Sequence, residues 1–391
     1  MANTRRMQGA SAGNSGVDIS SLHPMVSGTL WAMCVANSDG YGGQGSTTNT
    51  SIFTQVGSGT NWAMIAGVDR FWTAIKDDGS MWSCGWGSSG KLGTGSNSSV
   101  SVPTRVGTGT DWAKVAVGTN HGAALQKNGS LWTWGSNTSG SLGLGHTSYK
   151  WSPVQVGEDG QWIDAFCGHD CTFGIDADNK LFSWGDNAQG ELGIGDLYHR
   201  SSPVQVGSLE NWKMVSSGRQ QFSYGTSIAI KTDGTMWTFG QANHYSTGGN
   251  ASSSSPIQLG SDTNWSSCRA GSTENKMTVL ALKTNGYLYS WGENEYGTTG
   301  SGDVTNPVSN PLTQVGSGGG WTEPFGVGSF YASGAIQSGA LKRWGYNLSS
   351  GSLGIGVTTG GGYSNPTAVS LGGTDWVRFQ GMYRGGLAIR T

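Results

Sequence analysis

The chain alternates short apolar runs with gaps rich in glycine, serine, threonine and asparagine, and nowhere sustains an apolar stripe at the 3.6-residue period of a helix. Its clearest apolar run is Leu131-Trp132-Thr133-Trp134-Gly135. Versions of it stand at Met81-Trp82-Ser83-Cys84-Gly85, Leu181-Phe182-Ser183-Trp184-Gly185, Met236-Trp237-Thr238-Phe239-Gly240, Leu288-Tyr289-Ser290-Trp291-Gly292, Leu341-Lys342-Arg343-Trp344-Gly345 and Leu30-Trp31-Ala32-Met33-Cys34, seven copies in all. A second landmark is a lone tryptophan shortly after an apolar-Gly step. It falls at Trp62, Trp112, Trp162, Trp212, Trp265, Trp321 and Trp376, with spacings of 50, 50, 50, 53, 56 and 55 residues. Self-similarity at such a period marks a repeat architecture.

Each unit reads as four short strands. In the unit opened by Trp112 they fall at Lys114 to Val117, Ala123 to Gln126, Leu131 to Trp134 and Pro153 to Val156. The second and third strands are joined by Asp78-Gly79, Asn128-Gly129, Asp233-Gly234 and Asn285-Gly286, pairs whose positive φ suits a tight hairpin. Proline opens the fourth strand in six of seven units, at Pro103, Pro153, Pro203, Pro256, Pro311 and Pro366. It cannot donate to a strand ladder, so the fourth strand belongs at an outer edge. Seven four-stranded sheets set radially make a β-propeller.

The two chain ends complement each other. The last unit stops at Leu387-Ala388-Ile389-Arg390-Thr391 without a Leu-Trp strand, and the first begins with that strand at Leu30. The expectation is an all-β, seven-bladed propeller over residues 28–391, closed by pairing of N- and C-terminal strands in one blade. Residues 1–27, rich in Gly, Ser and Ala, are expected to form a flexible or partner-ordered arm. The repeated tryptophans should be buried between blades.

Composition narrows the function classes. Basic and acidic residues nearly balance, 22 against 24, which gives no electrostatic case for nucleic acid or an anionic membrane. Charged residues make up only 12% of the chain, so its surface is polar but largely uncharged. No apolar run approaches the ~20 residues of a membrane helix, and no apolar segment follows Arg5 and Arg6 as a secretory signal would require. The five cysteines, Cys34, Cys84, Cys167, Cys171 and Cys268, read as reduced packing residues. Cys167-Gly168-His169-Asp170-Cys171 would need two further ligands to hold zinc.

After each Trp-Gly comes a glycine loop: Gly90-Lys91-Leu92-Gly93-Thr94-Gly95, Gly140-Ser141-Leu142-Gly143-Leu144-Gly145, Gly190-Glu191-Leu192-Gly193-Ile194-Gly195 and Gly351-Ser352-Leu353-Gly354-Ile355-Gly356. With the Trp-Gly strand, these loops resemble the regulator-of-chromosome-condensation (RCC1) repeat, over about residues 28–391. One copy lacks the loop, and Thr298-Thr299-Gly300-Ser301-Gly302 is degraded. The resemblance implies a seven-bladed propeller, in agreement with the unit count. It implies no single activity: the best-known member is a nucleotide-exchange factor for a small GTPase that also binds nucleosomes, and relatives include a secreted β-lactamase inhibitor, membrane-traffic regulators and phage proteins. Fold does not fix function. The family often carries a His after the glycine that ends the first strand; Gly118-Thr119-Asn120-His121 matches this, and most other copies do not.

No catalytic motif stands out. The six His are scattered, and the glycine loops lack the Lys-Ser/Thr and following helix of a phosphate-binding loop. Neither an enzyme, a metal site nor a cofactor is expected. The loops between first and second strands should open together on one face. They concentrate the aromatic and charged side chains of a charge-poor chain: Arg70 and Phe71, His121, Arg219 with Gln221, Phe222 and Tyr224, Glu274 and Lys276, Phe330 and Tyr331, Tyr383 and Arg384. One reading is that they pack the channel or cap turns; the other is a binding face for a protein or glycan. The sequence reading expects a non-enzymatic structural or binding propeller, a virion component of a phage that contacts other virion proteins or a host-surface molecule, with the arm docking on a partner. Its alternatives are a cytosolic RCC1-like regulator that binds a small GTPase or another protein through one face, and a secreted inhibitor or lectin-like adhesin.

Overall fold

The computed structural model describes residues 18–158, 160–218, 225–241, 252–273, 276–304, 308–328 and 331–391. It contains seven four-stranded antiparallel sheets. Blade 1 runs from Trp62 to Arg105, blade 2 from Trp112 to Gln155, blade 3 from Trp162 to Gln205, blade 4 from Trp212 to Gln258, blade 5 from Trp265 to Gln314 and blade 6 from Trp321 to Ala368. Blade 7 is made from both chain ends, in the spatial order Thr50–Gln55, Thr29–Cys34, Gly385–Arg390, Trp376–Met382. Leu30 faces Ile389 and Trp31 faces Ala388, so the ring closes through a ladder of backbone hydrogen bonds. First strands line a central channel and fourth strands form the outer rim. Among the described residues no helix is long and apolar enough to cross a membrane.

Local chemistry explains the hairpins. Gly79 takes φ +76°, and a Cβ there would lie 1.9 Å from the Thr110 carbonyl oxygen, so the turn admits no side chain. The Asp78 carboxylate accepts from the Ser80 amide at 2.8 Å and from the Ser80 hydroxyl at 2.6 Å, which holds the turn closed. The prolines differ from expectation. They do not open the fourth strand but sit inside it, where its pairing slips. Thr104 faces Ser83 and Val100 faces Gly85, so three residues including Pro103 oppose one. That bulge leaves the proline nitrogen with no ladder bond to make, on an edge where none is required.

The tryptophans do two jobs. The first-strand set, Trp62 to Trp376, is at most 5% exposed. Each packs edge-on against its neighbour on the third strand, as in Trp112 against Trp132 at 6.1 Å and 82°. The third-strand set reaches the preceding blade. Trp134 donates its indole N–H to the Lys91 carbonyl, Trp184 to Ser141 and Trp344 to Thr298, each at 2.9 Å. Hydroxyls of the same following blades reinforce two of these carbonyls, Thr172 on Ser141 at 2.8 Å and Ser333 on Thr298 at 2.7 Å. The glycine-loop leucines beside them, Leu92, Leu142, Leu192 and Leu353, are fully buried.

Lysines at the ends of second strands lie over the aromatic pairs. Lys76 Nζ is 4.8 Å from the Trp62 ring and 4.7 Å from Trp82, a cation–π sandwich. An asparagine clasps most glycine loops. Asn137 donates to the His146 and Ser148 carbonyls at 2.7 and 3.1 Å and accepts from the Leu142 amide at 2.9 Å. Asn187 and Asn347 do the same in their own loops. All five cysteines are free thiols, and burial pushes Cys84, Cys167 and Cys268 up to about 12.

The described part of the N-terminal arm is laid against the ring. Ile19 is fully buried, and its amide donates to the Lys127 carbonyl at 3.0 Å. His23 Nε2 is 2.9 Å from the Ile163 carbonyl, the Pro24 carbonyl accepts from Arg378 at 3.1 Å, and Ser27 donates to Asp77 at 2.7 Å. These partners belong to blades 2, 3, 7 and 1, at the end where the first strands begin. The segment therefore crosses that mouth of the channel. Residues 1–17 lie outside the described residues.

Candidate binding face

The opposite end carries the hairpins between first and second strands. Two of them meet at the seam between blades 7 and 1. The Tyr383 amide donates to the Asp69 carbonyl at 2.8 Å, the Val35 amide to the Arg384 carbonyl at 3.2 Å, and the Tyr41 hydroxyl to the Tyr383 carbonyl at 2.6 Å. Both turns contain one non-glycine residue in the left-handed region, Asp69 at φ 53° and Arg384 at φ 49°. Such residues cost ~1–3 kcal/mol and persist where the surroundings over-determine them.

Arg70 is the centre of this seam. Its guanidinium lies 4.8 Å from the Tyr383 ring and 5.9 Å from Trp86, and Nη1 donates to Asp39 at 3.2 Å. The Arg384 guanidinium also lies over the Tyr383 ring, at 5.2 Å. Lys91 extends the cluster toward blade 2: Nζ is 4.0 Å over Trp86 and donates to the Thr119 carbonyl at 3.1 Å and to Asn120 Oδ1 at 2.8 Å. Arg70, Trp86, Tyr383 and Arg384 are all half-buried. Aromatic rings with a held arginine are the residue types that dominate protein interfaces.

A second aromatic group stands at blades 5 and 6. Tyr296 meets Tyr331 at 4.8 Å and Tyr346 at 4.5 Å, and the Tyr346 amide donates to the Tyr331 carbonyl at 2.7 Å. Tyr331 too is left-handed, at φ 46°.

Of the residues expected on this face, Arg70, Tyr383 and Arg384 come together and Tyr331 joins the tyrosine group. Phe71 and His121 are fully buried beneath it. Phe71 floors the Lys91 ammonium at 5.3 Å. His121 Nε2 lies 2.9 Å from Thr172 Oγ1 across the boundary of blades 2 and 3, and burial lowers its pKa to about 4. Arg219, Gln221, Phe222, Tyr224, Glu274 and Phe330 lie outside the described residues, and Lys276 is described only as the start of a strand. Sequence reasoning missed Asp39, Trp86, Lys91 and Tyr296, which come from the loops after the third strands, and Tyr346, which lies in the third strand of blade 6. A signal existed: Trp86 and Tyr346 directly follow the repeat glycines Gly85 and Gly345, where other copies carry Ser136, Asp186 or Glu293.

Three stretches of the chain, residues 78–125, 128–175 and 178–222, match the regulator of chromosome condensation (RCC1) repeat, and a second description of that repeat matches 112–141. The chain is thus an all-β, seven-bladed propeller with RCC1 repeats. No protein of curated function matches it in sequence. Among solved structures it is similar to yeast RCC1 (Prp20) bound to Kap60, with 17% identity, 100% of this chain and 96% of that one covered, and a TM-score of 0.80. Prp20p of Saccharomyces cerevisiae, described with its binding to Gsp1p and histones, gives 18% identity, 96% and 94% coverage and 0.78. Human WBSCR16 gives 17% identity, 93% and 98% coverage and 0.74. At these identities the shared feature is the fold.

Proposed function

We propose that this propeller is a binding protein, an RCC1-like regulator that engages a protein partner through the face carrying Arg70, Trp86, Tyr383 and Arg384. The observation that carries the reading is the seam of blades 7 and 1. Two left-handed hairpin tips hold an arginine between two aromatic rings, half-open to solvent, while the N-terminal segment lies across the other mouth. Strain and order of this kind pre-organise side chains for a partner rather than improve packing. Fold neighbours support a protein partner: yeast RCC1 is seen with Kap60, and Prp20p is described as binding Gsp1p and histones. A small GTPase is the partner class to try first, and the cytoplasm the compartment. No catalytic group is invoked. None of these neighbours supports the virion or host-attachment expectation.

The test uses purified small GTPases, nucleotide-free and GDP-loaded, on a biolayer surface carrying the full chain. Binding should weaken at least tenfold in the Arg70→Ala, Tyr383→Ala double variant, in line with interface anchors worth ~2 kcal/mol or more. Binding that ignores both substitutions would remove the face from the argument. No binding to any GTPase would remove that partner class.

A further inference from the structure

We propose that the outer strand of blade 7, Thr50–Gln55, is a pairing edge on which a second copy of this chain docks, strand against strand about a twofold axis. Each blade ends in an outer strand with one unpaired edge, a template for another chain unless something blunts it. Six of the seven outer strands carry a proline, at Pro103, Pro153, Pro203, Pro256, Pro311 and Pro366, and a proline nitrogen cannot donate to an added strand. Blades 1, 2 and 3 add a charge, at Arg105, Lys150 and Arg200. The outer strands of blades 4, 5 and 6 are uncharged but keep the proline. Thr50–Gln55 has neither.

Phe53 stands where the other blades have proline. Ala32 faces Thr54 and Cys34 faces Thr50, the same slip that Ser83 and Gly85 show against Thr104 and Val100. The Phe53 ring is buried, 5.6 Å from Trp376 and 6.4 Å from Phe379, so it fills the interior of the blade rather than shielding its edge. The Val56 amide donates to the Leu30 carbonyl at 2.8 Å, and antiparallel alternation then turns the N–H and C=O of Gln55 outward. Thr50, Ile52 and Thr54 are β-branched and suit a paired strand, and Ile52 is 52% exposed. A Cβ on Gly351 would lie 3.0 Å from Ser51 Cβ and 3.5 Å from the Val357 carbonyl oxygen, so the exposed Val357 borders the same strand.

Charge selects the occupant. In a twofold pair each strand meets its own sequence, so a charged edge sets like charges against each other. Residues 40–68 and 344–374, which supply this edge and the blade 6 loop beside it, contain no Asp, Glu, Lys, Arg or His. Nothing on that flank repels an identical flank, and nothing on it recruits a charged partner. Six residues of edge bury far less than the ~800 Å² per partner of a standard interface, so the dimer is weak and forms as concentration rises.

Sedimentation equilibrium of the full chain, in a concentration series reaching the millimolar range, tests this. The expected result is a reversible monomer–dimer equilibrium, weakened at least tenfold in Ile52→Lys, which brings two ammonium groups together across the twofold axis. Gln55→Arg copies the residue that blade 1 carries at this position, Arg105, and should weaken association as well, which covers the case that the lysine variant does not fold. The Arg70→Ala, Tyr383→Ala variant should dimerise as the native chain does, so the edge and the loop face can fail separately. A dimer untouched by both edge variants in folded protein overturns the proposal. So does a dimer lost only in the Arg70, Tyr383 variant, since the copies would then meet on the loop face. A chain that stays monomeric throughout also overturns it, even where a Thr-Ser-Ile-Phe-Thr-Gln peptide binds, since the edge would then serve a strand of a different protein.

Discussion

Trp134 offers the most direct test of how the blades are held together. It is fully buried, its indole donates to Lys91 of blade 1, and Gly93 of that blade lies against the ring. An aromatic side chain of this size removes ~150–250 Å² from water, roughly 4–6 kcal/mol at ~25 cal/mol/Å² as an upper limit. Large-to-small changes in cores place Trp134→Ala at roughly 3–5 kcal/mol. Trp134→Phe keeps most of the ring and strands only the Lys91 carbonyl, which costs about 1–3 kcal/mol. A third variant isolates the contact itself. A Cβ on Gly122 would lie 2.4 Å from the Trp134 ring, so Gly122→Ala should destabilise the native chain yet be nearly neutral on top of Trp134→Ala. Equilibrium urea unfolding, followed by far-UV circular dichroism, reads each cost as a shift in midpoint at constant slope. The reasoning fails if Trp134→Ala leaves the midpoint unmoved, if the Phe and Ala variants cost the same, or if Gly122→Ala costs the same in both backgrounds.

Arg343→Ala should cost roughly 2–5 kcal/mol in the same assay, because the fully buried guanidinium satisfies the Ser352 and Gly385 carbonyls, at 2.9 and 3.1 Å, across the seam of blades 6 and 7. His121 has a folded pKa of about 4, below its ordinary 6.5, so the unfolded chain binds its proton first as pH falls. Its contribution is whole above pH 6.5 and shrinks down to about pH 4, by about 3 kcal/mol at most; His121→Gln should flatten that stretch of a stability-against-pH curve, and an unchanged curve would contradict the assignment. Ile19→Ser should free the segment from the channel mouth, seen as faster proteolytic nicking within residues 18–27 with the unfolding midpoint of the ring nearly unchanged; equal nicking rates would mean that Ile19 does not anchor it.

The ring was readable because its parts recur within each unit. A tryptophan every fifty-odd residues, the Asn-Gly hairpins and the complementary chain ends carry the same information many times over, and blade 7 closes as they imply. What stayed hidden depends on contacts between units. The role of Trp134 as a donor to blade 1 is set by blade spacing, not by its own strand. The proline bulge, the asparagine clasp and the docking of Ile19 on Lys127 have the same character. On the face, Arg70 and Tyr383 stand over three hundred positions apart and meet only because the ring closes beside them. Residues such as Trp86 are hidden in the sequence because the glycine loop reads as structural, although the position after the repeat glycine varies between copies, Trp86 in one and Ser136 in another.

Burial separates the positions that hold the ring from those that shape the face. Positions whose side chains reach a neighbouring blade, such as Trp134, Leu142 and Thr172, are fully buried, so a change there is felt as stability. At the position after the repeat glycine the backbone amide makes the same bond in each copy: Trp86 donates to the Arg70 carbonyl, Ser136 to Asn120 and Asp186 to Asp170, each near 2.9 Å, while the side chain ranges from half-buried at Trp86 to fully buried at Glu293. Its side chain differs between copies, an indole at Trp86, a hydroxyl at Ser136 and a carboxylate at Asp186. Among the described residues, the two places where it is a large aromatic, Trp86 and Tyr346, have left-handed non-glycine tips beside them, Asp69 and Arg384 at the first and Tyr331 at the second. The partner face proposed above therefore takes in both the blade 7–1 seam and the tyrosine group of blades 5 and 6.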